Sequence, residues 1–232
     1  MMKDPYVYEG TNVLINLANI REQKTLDNYE TTLSRIAIVN LLKSPFEINS
    51  TMDIFRIHES LFKEVYTWAG KARTINIYKN EPVLNGLSVN YSDYNFIDKE
   101  LNDIQKDIDS FNWKECSKKE LLHKIVIVIA KIWQVHAFRE GNTRTICLFL
   151  YLFMKKFGLK LNMDFIGEHS KFFRNALVLA SIGEYSEYDH LELILSDAIS
   201  LKKTIDGESK YQTIKEYNLD KYEYNYHQIK KK

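Results

Sequence analysis

An all-α fold is predicted for this chain by three observations. Its 232 residues include only three prolines and eight glycines, a scarcity that favours long helices over many turn-linked strands. Apolar residues recur at three-to-four spacing over stretches of helical length. Cap and stop residues stand at the ends of several of those stretches. With 45% hydrophobic and 27% charged residues, the composition is that of a folded, water-soluble protein with a sizeable core, not of a disordered or collagen-like chain.

Taken in order, residues 11–45 read as one helical stretch that Pro45 stops. In it Leu33, Ile36, Ala37, Asn40 and Leu41 recur at helical spacing as a core stripe. Ser50, Thr51 and Asp53 open a second helix whose apolar face runs through Ile54, Ile57, Leu61, Phe62 and Val65 towards Trp68 and Gly70. His58, on the edge of that face, reads as a packed, hydrogen-bonded core histidine without a chemical role. From Arg73 to Tyr78 the pattern alternates, and Asn80, Pro82, Asn85 and Gly86 supply turn residues before Leu87 to Tyr91. This predicts a short hairpin, kept as a candidate substrate clamp.

Ser117 and Glu120 have the spacing of a capping box ahead of Leu121, Leu122, Ile125, Val128, Ile129, Ile132 and Trp133. The length of this run marks a helix that is apolar nearly all round and therefore central. Another helix is expected from about Thr143 to Phe157, with Gly158 as its stop. Two more are expected over 168–179 and 188–201. Residues 202–232 carry eight lysines against five acids and no strong apolar stripe, so they read as a peripheral appendage to a domain spanning 1–201.

Composition also excludes function classes. Lys and Arg exceed Asp and Glu by one, so no global field attracts nucleic acid or an anionic membrane, and anion binding must be local. The apolar run Ile125 to Ala130 is far short of the roughly 20 residues of a membrane helix. Cys116 and Cys147 have no CxxC spacing and fit a reducing, cytoplasmic setting without a disulfide scaffold. The first residues lack the pattern of a secretion signal.

Chemistry concentrates in His136-Ala137-Phe138-Arg139-Glu140-Gly141-Asn142-Thr143-Arg144, between the two central helices. His136 can act as a base near neutral pH. Glu140 can hold a hard divalent cation. Gly141 and Asn142 suit a turn at a helix start, where N–H groups and the dipole favour an anion. Arg144 lies in that first turn, where the dipole disfavours a guanidinium unless an anion such as phosphate is bound. The residues alone leave a second interpretation equally open, in which His136 caps a helix, Gly141 turns the chain and Glu140 and Arg144 form an i,i+4 pair.

The run HAFREGNTR resembles the signature of the Fic family: His-Pro-Phe, any residue, Asp or Glu, then Gly-Asn-Gly-Arg, often with another Arg three positions on. Asp4-Pro5-Tyr6, Leu14 to Leu17, Ile57-His58, Leu61-Phe62, Val65-Tyr66, Trp68-Ala69-Gly70 and Arg73-Thr74 also resemble bacterial single-domain members, over roughly residues 4–200. The resemblance implies a helical bundle with a β-hairpin flap, and transfer of AMP from ATP to a Ser, Thr or Tyr hydroxyl of a target protein. It implies His136 as the base and Glu140 as ligand of a Mg²⁺ that bridges ATP phosphates. Gly141, Asn142 and the Thr143 backbone would form an anion hole, Arg144 would bind distal phosphates, and Phe138 would anchor the loop. The flap would align its target by strand addition, with Asn76, Ile77, Tyr78 and Lys79 in contact. Phe172 and Phe173 resemble an aromatic pair near the adenine site and read equally well as core.

Three departures stand out. Ala137 replaces the motif proline and removes no chemical group. Thr143 replaces the second glycine and could crowd a phosphate. Cys147 stands where the second arginine belongs and supplies no charge. In many relatives that arginine pairs with an inhibitory glutamate in a Ser/Thr-x-x-x-Glu-Gly/Asn helix. Here Thr204 to Glu208 fits except for Ser209, and Glu223 lacks the Ser/Thr, so weak autoinhibition is expected, with the tail as an altered regulator.

The expectation is therefore a bacterial, toxin-like protein adenylyltransferase that also modifies itself. A separate antitoxin and a homo-oligomer are partners compatible with the resemblance; nucleic acid and membrane are not. The alternatives are transfer from another nucleotide-type donor and a degenerate Fic-fold binding module.

Overall fold

The computed structural model describes residues 4–200 together with Tyr217 and Leu219. Among the described residues the structure is helical, and the only strand pairing is an isolated antiparallel bridge between Val7 and Leu14. Among the described residues no helix is long and apolar enough to cross a membrane. The chain divides into two compact units, one built from residues 4–77, 91–109 and 135–152, the other from 78–90, 110–134 and the chain from 153 on.

In the first unit, α1 (Gln23–Lys43) is shorter than the stretch expected over 11–45. The side chain of Asn16 bonds the carbonyls of Leu14 and Ile20 and accepts the Ile20 N–H, and Asn19 has φ 53°. These local bonds offer the backbone an alternative to helix, so helix begins only after Glu22 accepts the Thr25 N–H. The predicted core stripe of α1 also needs correction. Ile36 is 54% exposed, and Leu33 and Ala37 are only half-buried. With Leu41 they line an open groove of about 470 Å³. The buried face instead carries Leu26, Glu30, Ser34 and Leu41.

The second helix forms as expected, as α2 (Asp53–Phe62), and buries Ile54, Ile57, His58, Leu61 and Phe62. A helix not anticipated, α3 (Ile97–Ser110), buries Ile97, Leu101, Ile104 and Ile108. Thr51 ties the two together, donating its hydroxyl to the Leu101 carbonyl at 2.8 Å.

In the second unit, α4 (Lys118–Val135) begins at the expected capping box: Glu120 accepts the Ser117 N–H at 2.8 Å and Ser117 Oγ accepts the Glu120 N–H at 3.3 Å. Only its last residue belongs to the first unit. Next in the chain, α5 (Asn142–Lys155) belongs to the first unit through Leu152, and Gly158 takes φ 70° after it. The helix expected over 168–179 forms as α7 (Ser170–Leu179), a short α6 (Met163–Glu168) not anticipated precedes it across His169, and α8 (Asp189–Ser200) follows. Ser181 Oγ donates to the Ala130 carbonyl at 3.0 Å, and Asn162 N–H to that of Ala198 at 3.1 Å.

The segment 73–91 carries no strand. Two of the backbone groups expected to pair across a hairpin are taken by side chains: Arg73 Nη1 donates to the Ile75 carbonyl, and Ser88 Oγ accepts the Lys79 N–H. Its turn is a 3-10 turn over Pro82–Leu84, closed by Glu81 N–H to Leu87 O at 3.0 Å. Glu81, fully buried, receives a bidentate pair from Arg174 of α7 at 2.7 and 2.9 Å.

Candidate active site

Six of the residues singled out in the sequence come together in the first unit, in and just after the loop from α4 to α5. His136 follows the end of α4 in the left-handed conformation, φ 49°, a strained state for a residue other than glycine. What holds it there is Arg73. The Arg73 Nε donates to the His136 carbonyl at 2.9 Å, its N–H to Ala137 O at 2.8 Å, and its guanidinium also reaches the carbonyls of Ile75, Ser92 and Val135. Burial lowers the pKa of this guanidinium, against the fields of Asp93 and Glu100, yet it starts so high that the charge persists. Arg73 is therefore a buried cation satisfied largely by backbone carbonyls around the candidate base. The His136 ring is itself buried and lies 4.0 Å from that of Tyr91, centroid to centroid.

Next along the loop, Asn142 clamps the turn on itself: its Oδ1 accepts the Phe138 N–H at 3.0 Å and its Nδ2 donates to the Phe138 carbonyl at 2.8 Å. Phe138 is the expected anchor, 1% exposed and stacked on His58 at 3.8 Å. His58 is the packed, hydrogen-bonded core histidine expected. Its Nδ1 accepts the Gly70 N–H at 2.8 Å, which leaves Nε2 as the N–H that donates to the Glu140 carbonyl at 3.0 Å. Burial pushes the imidazole down to about 3, with the Arg144 charge acting in the same direction, so this neutral tautomer persists at physiological pH.

Gly141 has φ +81°, and a Cβ there would run into the ring of Phe62, 2.6 Å from its Cζ. Both the torsion and the packing require glycine. The half-buried Glu140 accepts the Gly141 N–H through Oε1 at 3.0 Å. Thr145 is the first α5 residue whose N–H closes a helical turn, on Gly141 O at 3.0 Å, so the preceding turn presents the positive end of the helix. Arg144 in that turn does not stand alone. It donates from Nη1 to Ser34 Oγ at 3.1 Å and from Nη2 to Glu30, with its guanidinium carbon 4.8 Å from the Phe62 ring centroid. The carboxylate of Glu30 thus offsets the unfavourable helix end. Sequence periodicity missed Glu30 and Ser34 because both are polar residues on a buried helix face.

Cys147 lies one turn further along α5, with its thiol pushed up to about 12 by burial, and stays neutral. Phe172 and Phe173 are buried in α7 of the second unit, Phe172 edge-on to His190. Of the proposed clamp residues, Asn76 and Ile77 belong to the first unit and Tyr78 and Lys79 to the second. Glu208 and Glu223 lie outside the described residues.

The loop, its base, carboxylate and arginine occur in one region of the chain that is matched as a whole: the Fic/DOC family fits residues 49–154. That match takes in a little under half of the chain and the whole of the loop. It is 27% identical over 143 residues to "Probable protein adenylyltransferase Fic" of Escherichia coli (strain K12), a match covering 60% of this chain and 66% of that relative's length. Its fold is that of the N-terminal FIC domain of Bep8 from Bartonella sp. 1-1C, with a TM-score of 0.71 at 21% identity, covering 86% of this chain and 96% of that one. It is equally that of BepC from Bartonella tribocorum, solved with bound AMPPNP, with a TM-score of 0.69 at 22% identity over 87% and 99% of the two chains.

To a divalent cation of the Mg²⁺ class this loop would offer one carboxylate, that of Glu140. Mg²⁺ usually takes one or two carboxylates and completes its shell with water and substrate phosphate. Glu30 is engaged by Arg144, and no cluster of three acidic, histidine or cysteine ligands exists among the described residues.

Proposed function

We propose that this chain transfers AMP from ATP to a hydroxyl of a target protein, within a Fic domain over 1–201. The observation that carries the reading is the loop itself: a candidate base held in a strained backbone state by a buried arginine, beside a carboxylate, a required glycine and an arginine at a helix N-terminus. His136 would take the proton of a Ser, Thr or Tyr hydroxyl as that oxygen attacks the α-phosphorus. The bond from the α-phosphorus to the bridging oxygen breaks, and pyrophosphate leaves with the electron pair. Asn142 keeps the loop in shape, the first turn of α5 receives phosphate oxygens, and Arg144 binds distal phosphate. Mg²⁺ held by Glu140 would neutralise phosphate charge.

The segment 73–91 is the target clamp in this reading. Residues 74–80 alternate between exposed and half-buried, and Tyr78 is 71% exposed, so an extended target segment has an edge to lie against and the hairpin flap would form on that contact. Phe172 and Phe173 are assigned to the adenine side. Because Cys147 is neutral, an inhibitory glutamate has no second arginine to grip, which supports weak autoinhibition and self-modification; Glu208 and Glu223 of the tail are its candidate remnants. The targets, an antitoxin and self-association belong to the same reading, in a cytoplasmic setting.

The test is peptide mass spectrometry of the chain after incubation with ATP and Mg²⁺. AMP addition that disappears in His136→Ala supports the reading. No addition with ATP, together with addition from UTP or CDP-choline, would replace AMP by another donor group, and no nucleotide binding at all would favour a binding module.

A further inference from the structure

We infer that Glu30 of α1, with Ser34 one turn on, is a positioning residue for Arg144 and sets the affinity of the site for the distal phosphates of the nucleotide. The inference rests on the AMP-transfer reading and adds to it a part outside the signature loop.

Three features support it. First, α1 turns a carboxylate and a hydroxyl inward while leaving Ile36 exposed. A helix that only needed to pack would bury the apolar side chain, since a buried ion pair adds little stability over an apolar contact. Second, the two polar residues act on one guanidinium: Nη1 goes to Ser34 and Nη2 to Glu30. Two of its five N–H donors are thereby fixed, and three remain for a ligand. Phe62 closes one face of the guanidinium, and the same ring underlies Gly141, so the arginine and the phosphate-facing turn share one support. Third, Glu30 is itself held. Its second carboxylate oxygen accepts from the hydroxyl of Tyr66, a buried phenol whose pKa is raised by burial and by the Glu30 charge, so it remains a donor. The chain Tyr66–Glu30–Arg144 ends on the phosphate-binding group.

The charge of Glu30 also tempers that of Arg144. A flexible, unpaired arginine would attract any anion, whereas a tethered one offers donors in one direction and so discriminates by geometry. The requirement falls on ligands that reach Arg144, meaning di- and triphosphates and not a nucleoside monophosphate.

The experiment is calorimetric titration of the full chain with AMPPNP and with AMP, in Mg²⁺, for wild type, Glu30→Gln, Arg144→Ala and the double variant. Glu30→Gln is expected to weaken AMPPNP by about tenfold, the scale of one charge-assisted hydrogen bond. AMP affinity should stay within about twofold, and the substitution should add nothing once Arg144 is alanine. Unchanged or tighter AMPPNP binding by Glu30→Gln would overturn the inference and make Glu30 a competitor of phosphate. Equal weakening of AMPPNP and AMP would reduce Glu30 to a packing residue and overturn it as well. A wild-type chain that binds neither nucleotide would fail the underlying reading before Glu30 is at issue, and the inference would fall with it. If Glu30→Gln shows no cooperative melt, Ser34→Ala removes only the second tether, and the same selective loss of AMPPNP is required of it.

Discussion

His58 donates its Nε2–H to the carbonyl of Glu140 at 3.0 Å, so a histidine of α2 carries the backbone of the residue assigned to the metal. Its folded pKa lies near 3 against an ordinary 6.5, chiefly through burial. The unfolded chain therefore binds a proton at this site as pH falls below about 6.5, while the folded chain does not until about 3. Stability from this group is full above 6.5 and declines through that window, by at most about 1.4 kcal/mol per pH unit. Thermal melts across pH 4–8 should show the midpoint falling with acid, and His58→Gln should flatten that slope while lowering the midpoint at pH 7.5. An unchanged slope in the variant would contradict the assignment.

Arg73 should prove essential for the state of His136. Arg73→Met leaves the carbonyls of His136, Ser92 and Val135 buried without their donor and should cost about 3–5 kcal/mol or prevent folding. Arg73→Lys keeps the charge but cannot fork to several carbonyls. It should fold with a loss of about 1–3 kcal/mol and lose AMP transfer disproportionately, as read by melts and by ATP-dependent modification side by side.

Gly141→Ala should abolish nucleotide binding more than it unfolds the chain. The added methyl meets Phe62 at a torsion of φ +81°, so the loop must move by strain of about 1–3 kcal/mol. Phe62→Leu in the same chain should restore stability in part, because it relieves the contact, without restoring binding, because the torsion remains unsuited to alanine. Melting and calorimetry separate the two.

Much of this was legible in the sequence. The capping box at Ser117 and Glu120, the stop at Gly158 and the amphipathic face of α2 are local signals, and each formed as its spacing requires. The loop from His136 to Arg144 stands out because histidine, acid, glycine and arginine are contiguous, while residue types alone leave a capped helix with an i,i+4 pair equally open. Less visible was α3, whose Ile97, Leu101, Ile104 and Ile108 keep a strict helical period but lie among acids and lysines that draw attention to solvent. The inner face of α1 could not be read by hydrophobicity at all. Glu30 and Ser34 are inside because of a partner more than a hundred residues away, and the apolar Ile36 is outside for the same reason. The segment 73–91 has the alternation of a strand, and side chains take up partners that a strand would need.

Breaking Glu81 from Arg174 should loosen the turn at Pro82–Leu84 without touching the loop of His136. Glu81 is fully buried and grips the guanidinium through both oxygens, while Arg174 is partly exposed, so Glu81→Gln should cost about 1–3 kcal/mol. Limited proteolysis should show faster cleavage at Lys79 in the variant, with AMPPNP affinity retained; equal cleavage rates would contradict the pinning role.

AMP transfer by this loop is tested by giving the purified chain ATP labelled at the α-phosphate or at the γ-phosphate, with Mg²⁺, beside His136→Ala. Retention of α-label on protein, absence of γ-label and loss of both in His136→Ala is the result expected of AMP transfer by this loop. Retained γ-label, or α-label undiminished in His136→Ala, would contradict it.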